Sequence, residues 1–211
     1  MNSEIQLVIF DMDGVLVDAI SSWAWVHDHF DVNNDDSLKA YKEGKIDDLE
    51  FIRRDIELWK EADREISRKD VLKIVKKIPL IDGFDETIPL ICKKYRTAII
   101  SGGLKVLAEH IGGDKFDRIM ANELEEKNGK LTGEGIIEVK LRDKGEAMDR
   151  LLAEMSIDRK HTAAIGNSRT DAPMLKKAAK GIAFNPADEK IKEAADKVIT
   201  EKDLRILLDE L

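Results

Sequence analysis

The chain has 211 residues, 43% of them hydrophobic and 37% charged, with a formal net charge of −8. This is the composition of a soluble globular protein with one core and room for an inserted subdomain, and its acidic balance argues against a nucleic-acid partner, which would meet a basic face. No stretch is apolar enough or long enough to span a bilayer, no secretory signal opens the chain, and the single cysteine, Cys92, permits no internal disulfide, so a cytoplasmic home is expected.

The first expected element is a strand over residues 5–10, a short apolar run that ends in Phe10 and is followed at once by Asp11-Met12-Asp13-Gly14. Residues 17–79 then hold no convincing strand. Their apolar residues recur at helical spacing: Ile20, Trp23, His27 and Phe30, then Leu49, Ile52, Ile56 and Trp59, then Val71, Ile74, Val75 and Ile78. Ser67 with Asp70 three residues later reads as a capping box before the last group. Asp31–Asp36 hints at a calcium loop, but Asp36 and Lys42 stand where that loop needs glycine and glutamate. Cys92 follows the apolar run 88–91 and reads as a small core residue.

Further buried strands are expected at 97–100, 162–165, 181–184 and 197–199, alternating with charged helical segments. Asn128-Gly129 between Leu124 and Leu131 signals a β-hairpin. The alternation is that of an α/β protein: a doubly wound, Rossmann-like parallel sheet, with residues 1–16 and 80–211 as the core and residues 17–79 as a small helical cap inserted after the first strand.

Four stretches carry candidate chemistry. Asp11 and Asp13 leave the tip of a buried strand, and two acids there are costly without a cation. Mg²⁺ takes such hard oxygen ligands and usually shares them with phosphate. An EF-hand reading fails, because a strand precedes Asp11 and Ser22 stands where the loop needs glutamate. Ser101-Gly102-Gly103 follows the second strand and precedes a helical run, where backbone N–H groups can meet an anion; the same residues also make an ordinary turn. Lys144 falls in the first turn of a helix that Asp143 can cap, a place that disfavours a cation unless an anion lies near; the bland alternative is a solvated surface lysine. Gly166-Asn167-Ser168-Arg169-Thr170-Asp171 brings Asn167 and Asp171 to the same sheet edge, though Asp171 could equally cap the helix that begins near Pro173.

In this order the four stretches resemble the four motifs of the haloacid dehalogenase superfamily of phosphohydrolases. The helical insert, Ser-Gly-Gly, Lys144-Gly145 and Ala172-Pro173-Met174 resemble most its phosphoserine phosphatase branch. The resemblance implies a Mg²⁺-dependent phosphomonoester hydrolase working through an aspartyl-phosphate. Asp11 would be the nucleophile and Asp13 the acid and base. Gly14, Ser101, Gly102, Gly103 and Lys144 would hold phosphate. Asp11, Asp13, Asn167 and Asp171 would serve the metal, with Asp171 also orienting Lys144. The partner implied is a phosphorylated small molecule, with no nucleic acid and no membrane; the oligomeric state is not implied.

Two departures stand out. Asn167 replaces the first acid of the fourth motif and removes a charge from the metal site. Ile20 stands about where the branch has a glutamate for the substrate amino group, and Asp55, beside Arg53 and Arg54, near where it has an arginine for the substrate carboxylate. Trp23, Trp25, His27, His29, Tyr41, Arg53, Arg54 and Trp59 are the cap's candidates for specificity, with helical spacing favouring a core role for Trp23, Phe30 and Trp59. Asn167 keeps open a regulatory module that binds phosphate or Mg²⁺ without turnover, and a phosphotransferase of the same fold is the other alternative.

Overall fold

A computed structural model describes residues 4–211. Strand β1 (Leu7–Phe10) is followed by four helices: α1 (Ser22–Phe30), α2 (Asp35–Lys42), α3 (Asp48–Ala62) and α4 (Arg68–Val75). Next come α5 (Phe84–Lys94), β2 (Arg96–Leu104), α6 (Lys105–Gly112), β3 (Arg118–Lys127) and β4 (Lys130–Ile136). The chain closes with α7 (Gly145–Met155), β5 (Thr162–Gly166), α8 (Ala172–Lys177), β6 (Lys180–Phe184), α9 (Glu189–Lys192), β7 (Lys197–Ile199) and α10 (Leu207–Glu210). The seven strands form one sheet in the order β4-β3-β2-β1-β5-β6-β7, parallel except for β4, which runs antiparallel to β3. This is the expected doubly wound architecture, with β1 at its centre.

The central strands are continuous apolar runs because both faces of the sheet are covered. Val8, Phe10, Ile99, Ile165 and Phe184 point to one face, where they join a cluster that continues into Trp23, Ile52, Ile56 and Trp59 of the inserted helices. Leu7, Ile9, Ala98, Ile100 and Ala164 alternate to the other face and pack on Met148 and Leu151 of α7 and Met174 of α8. The period of two along each strand thus assigns its side chains to two separate clusters.

Within residues 17–79 the described chain has helices and isolated bridges only. The Ser67–Asp70 capping box is present. Ile20 falls outside α1 and is 99% exposed. α2 has no apolar stripe that announces it. Asp31 ends α1 in a left-handed conformation (φ 52°), and Asn34 occupies the N-cap of α2, so the acidic run is a helix junction. The Asn128-Gly129 hairpin forms with both residues at positive φ. Its first strand begins earlier than the turn signal suggests: β3 pairs with β2 from Arg118 onward. Gly135 lets the hairpin lie on α3, since a Cβ there would sit 2.4 Å from Ile52 Cγ2. Cys92 is half-buried, with Sγ 3.4 Å from Thr97 Oγ1. Among the described residues, no helix is long and apolar enough to cross a membrane.

Candidate active site

The carboxyl ends of β1, β2 and β5 and the start of α7 place the four motif stretches around one cavity, as expected where neighbouring parallel strands feed helices on opposite faces. Asp11, Asp13, Gly14, Ser101, Gly102, Gly103, Lys144 and Asn167 all line it. Asp11 follows β1 and is held by its own N–H, which donates to the Ile165 carbonyl at 2.9 Å. Its Oδ1 accepts from the Met12 N–H at 2.7 Å and lies 2.6 Å from Lys144 Nζ. Gly14 turns the chain at φ 79°, and a Cβ there would fall 1.9 Å from Asn167 Nδ2, so only glycine fits.

Asp13 Oδ2 accepts two bonds from Ser22, one from its N–H and one from its hydroxyl, both 2.9 Å. The Ser22 hydroxyl in turn accepts from the Leu104 N–H at 3.0 Å. Asp13 Oδ1 is buried with no partner. β2 extends through Ser101-Gly102-Gly103 to Leu104, with its pairing to β3 shifting between Ser101 and Leu104, so these residues form an irregular strand end where a plain turn is one sequence reading. Ser101 Oγ accepts from the Gly103 N–H at 3.1 Å. The Gly102 carbonyl accepts from two donors, Trp23 Nε1 at 3.1 Å and Asn122 Nδ2 at 3.2 Å.

Lys144 occupies the N-cap of α7, one place before the first turn, and Asp143 accepts instead from the Gly145 N–H at 2.8 Å. Lys144 is buried, with Nζ 2.6 Å from Asp11 Oδ1 and 2.5 Å from Asp171 Oδ1. The solvated-lysine alternative therefore falls away. Asp171 closes its own loop by accepting on Oδ2 from the Asn167 N–H (3.0 Å), the Ser168 N–H (2.9 Å) and the Ser168 hydroxyl (3.0 Å). It acts as a loop clasp and as a partner of Lys144 at once.

Burial pushes the Asp11 carboxyl up to about 7; the nearby Asp171 charge adds to the shift, and Lys144 only partly offsets it. Burial also raises Asp13, against the two bonds from Ser22. Burial disfavours the Lys144 ammonium, yet Asp11 and Asp171 outweigh it and hold the lysine charged. Three buried or cavity-lining acids, Asp11, Asp13 and Asp171, thus face one ammonium.

A curated relative, the phosphoserine phosphatase of Methanocaldococcus jannaschii, is 32% identical over 99% of this chain and 98% of its own length. The chain belongs to the haloacid dehalogenase superfamily, in its phosphoserine phosphatase-like branch. The family model for haloacid dehalogenase-like hydrolases matches residues 104–204. The phosphoserine phosphatase of Archaeoglobus fulgidus is 28% identical over 96% of this chain, which spans 59% of that protein. A solved phospho-aspartyl intermediate analogue of a phosphoserine phosphatase superposes with a TM-score of 0.80 at 31% identity, covering 99% of this chain and 100% of that one. A substrate-bound phosphoserine phosphatase also gives 0.80, at 29% identity and 99% coverage of both chains. Membership makes the protein a hydrolase of the haloacid dehalogenase phosphatase type, a class that works with Mg²⁺ through an aspartyl-phosphate.

The donor set fits such a cation. Its atoms are hard oxygens, Asp13 Oδ1 is an orphaned buried acceptor, and the acids outnumber the lysine. Among the described residues no group of three or more His, Cys, Asp or Glu side chains is arranged to hold a metal, and Asn167 brings an amide, not a further acid, to this edge of the sheet.

Of the cap's candidates, Trp23 and Tyr41 line the cavity. Trp59 is fully buried and stacks on Trp23 with ring centroids 5.3 Å apart, and His27 lies edge-on against Trp59. Arg53 and Arg54 both bond Glu50. Trp25 and His29 do not line the cavity. Sequence reasoning missed Ser22, Asn122 and Asn34. Ser22 had one signal, its place in the Ser21-Ser22 pair that opens α1; Asn122 and Asn34 had none.

Proposed function

We propose that the protein hydrolyses a small-molecule phosphomonoester with Asp11 as nucleophile. The observation that carries this reading is the asymmetry of the Asp11 carboxylate. Oδ1 is committed to the Met12 N–H and Lys144, while Oδ2 has no protein partner among the described residues, on a side chain that lines the cavity. Oδ2 attacks phosphorus in line, the bond from phosphorus to the leaving oxygen breaks, and Asp13 gives that oxygen a proton. Asp13 then takes a proton from water, whose oxygen attacks the aspartyl-phosphate and frees inorganic phosphate and Asp11. A carboxyl raised by burial, as Asp13 is, suits the acid half of this cycle.

Lys144 lowers the repulsion between the Asp11 carboxylate and the phosphate, and Asp171 fixes its direction. Ser101 and the Gly102 N–H are the donors for phosphate oxygens, since the Gly14 N–H is already bonded to the Val17 carbonyl at 2.9 Å and the Gly103 N–H to Ser101 Oγ. Asp11, Asp13 and Asn167 would hold Mg²⁺, with Asp171 beside them, and the ion would supply positive charge to offset the mutual repulsion of two anions. The relatives' printed substrate, phosphoserine, is one candidate. A reducing cytoplasm is the compartment that a single half-buried cysteine suits.

The test is a panel of phosphomonoesters assayed with and without Mg²⁺, with Asp11→Asn as control. Turnover that requires both Mg²⁺ and Asp11 supports the reading. Full activity of Asp11→Asn sinks the nucleophile assignment. Phosphorylated alcohols formed on adding acceptor alcohols would make the protein a phosphotransferase. A beryllium fluoride adduct without any hydrolysis would make it a regulatory module.

A further inference from the structure

The cavity, of about 530 Å³, has an anion end at Asp11 and Lys144 and a wall supplied by α1, α2 and α3. That wall is aromatic and aliphatic: Trp23, Leu38, Tyr41, Phe51 and Ile52. Its polar atoms are almost all spent. The Trp23 N–H donates to the Gly102 carbonyl, and the Tyr41 hydroxyl donates to Asp48 Oδ1 at 2.6 Å. One polar group remains, the carboxylate of Asp55, which lines the cavity yet is only 2% exposed.

Asp55 is built into place. Oδ1 accepts from Asn34 Nδ2 at 3.0 Å and lies 3.3 Å from His27 Nε2, though His27 does not align as a hydrogen-bond donor there. His27 is itself fixed, with Nδ1 2.6 Å from the Trp23 carbonyl. Oδ2 of Asp55 has no protein partner among the described residues. A carboxylate oxygen at a cavity wall without a protein donor is free to accept from a ligand, and a bond to it there is charge-assisted.

The cavity's cations point the same way. Lys144 is held between Asp11 and Asp171, and Lys202 is paired with Asp18. Arg53 and Arg54 do not line the cavity and bond Glu50. Arg142 also lies outside it, bonding the Tyr41 carbonyl and lying over the Tyr41 ring. A leaving group carrying a carboxylate would therefore meet Asp55 and an apolar wall, with no unpaired cation among the described residues that line the cavity. Like charges at such a site oppose binding strongly because water does not screen them.

The geometry points to a substrate whose leaving group carries a hydrogen-bond donor, a hydroxyl or an ammonium, for Asp55 Oδ2 and carries no carboxylate: a phosphorylated polyol or amino alcohol rather than a phosphorylated hydroxy or amino acid. Asp55 is the specificity-determining residue. This inference rests on the phosphomonoesterase reading above and narrows it.

The test compares kcat/KM, with Mg²⁺, for matched esters. Phosphoserine and phosphoethanolamine differ only by the carboxylate. Ethyl phosphate lacks the donor of both phosphoethanolamine and 2-hydroxyethyl phosphate, and p-nitrophenyl phosphate gauges the reaction itself. Phosphoethanolamine should exceed phosphoserine by about tenfold or more, and at least one donor-bearing ester should exceed ethyl phosphate by about the same factor, the worth of one charge-assisted hydrogen bond. Which donor wins separates ammonium from hydroxyl. In Asp55→Asn that advantage over ethyl phosphate should shrink severalfold, mainly through KM. Phosphoserine matching or beating phosphoethanolamine overturns the inference, as does parity of ethyl phosphate with both donor esters. An equal fall of all substrates in Asp55→Asn would leave Asp55 a packing role and overturn its assignment. If no ester turns over, p-nitrophenyl phosphate included, the reaction itself fails and this inference with it.

Discussion

Ser22 gives both its N–H and its hydroxyl to a single oxygen of Asp13, each at 2.9 Å. The residue that opens α1 therefore fixes the proposed acid, and the Leu104 N–H on the same hydroxyl ties both to the end of β2. Ser22→Ala removes the hydroxyl and leaves the Leu104 N–H unsatisfied. The variant should lose about 1–3 kcal/mol of stability, the cost of an orphaned buried donor. Its kcat should fall most for alkyl phosphates, whose leaving oxygen needs the proton, and least for p-nitrophenyl phosphate. A melting curve and kcat for both ester types check this; an equal fall for the two would remove Ser22 from the positioning of the acid.

Lys144 is the ammonium between two buried acids, 2.6 Å from Asp11 and 2.5 Å from Asp171. Removing one partner of a buried ionic group leaves uncompensated charge, which costs about 3–5 kcal/mol. Lys144→Met should therefore be inactive and markedly less stable. Adding Asp171→Asn to it should return part of that stability without activity, because one of the stranded charges is gone. Urea unfolding of the two variants measures the difference, and a double variant no more stable than the single one would contradict the ionic account.

Asp11 should trade stability for chemistry. Its carboxyl is raised to about 7 in the fold, from an ordinary value of 3.8, so the folded state holds the proton more tightly than the unfolded chain does. Ionisation then costs stability as pH rises from about 4, and the cost is complete above about 7. Asp11→Asn removes it. In metal-free protein at pH 8 the variant should melt at least about 2–4 °C above the wild type, the shift that 1 kcal/mol gives a chain of this length, and the gap should vanish near pH 4. Adding Mg²⁺ should raise the wild-type melting temperature more than that of the variant, since a cation that binds only the folded state stabilises it in proportion to its affinity. A melting series in both conditions decides this, and no gain for Asp11→Asn at pH 8 would contradict it.

Most parts of the site that could be read from the sequence lie at the end of an apolar strand; Lys144, at the N-cap of α7, is the exception and was legible from its place at the start of a helix. Asp11 follows β1, Ser101 lies near the end of β2 and Asn167 follows β5, so a strand that can be recognised announces the residues at its tip. The parallel order of these strands then brings the tips together. What could not be read lies in polar contacts between residues distant in sequence. Ser22 and Leu104 are 82 positions apart, and Asn34 and Asp55 are 21 apart. Neither pair belongs to a hydrophobic period, so no local signal links them. The same reason hid α2, whose sequence carries charge without a stripe, and the first half of β3, which Arg118 opens near the edge of the sheet where continuous apolar character is not required.

The His27–Asp55 pair supplies a pH dependence away from the reacting groups. The Trp23 carbonyl, 2.6 Å from Nδ1, fixes one ring proton there, so only a charged ring presents a second N–H toward Asp55. The groups nearest the ring are Asp55, Trp59 and the Trp23 carbonyl, with the Asp28 charge on the same helix. Burial works against the charged ring, but the adjacent Asp55 carboxylate outweighs it, and the pKa of His27 is raised above 6.5. A raised histidine contributes stability that is fully present below pH 6.5 and is lost as pH rises through the folded value. His27→Gln should therefore cost more at pH 6 than at pH 9, by about 1 kcal/mol or more, the attraction of two opposite charges this close. Urea unfolding of wild type and variant at the two pH values measures the difference. A cost that is the same at both would mean that His27 stands neutral in the fold and that Asp55 Oδ1 is held by Asn34 alone.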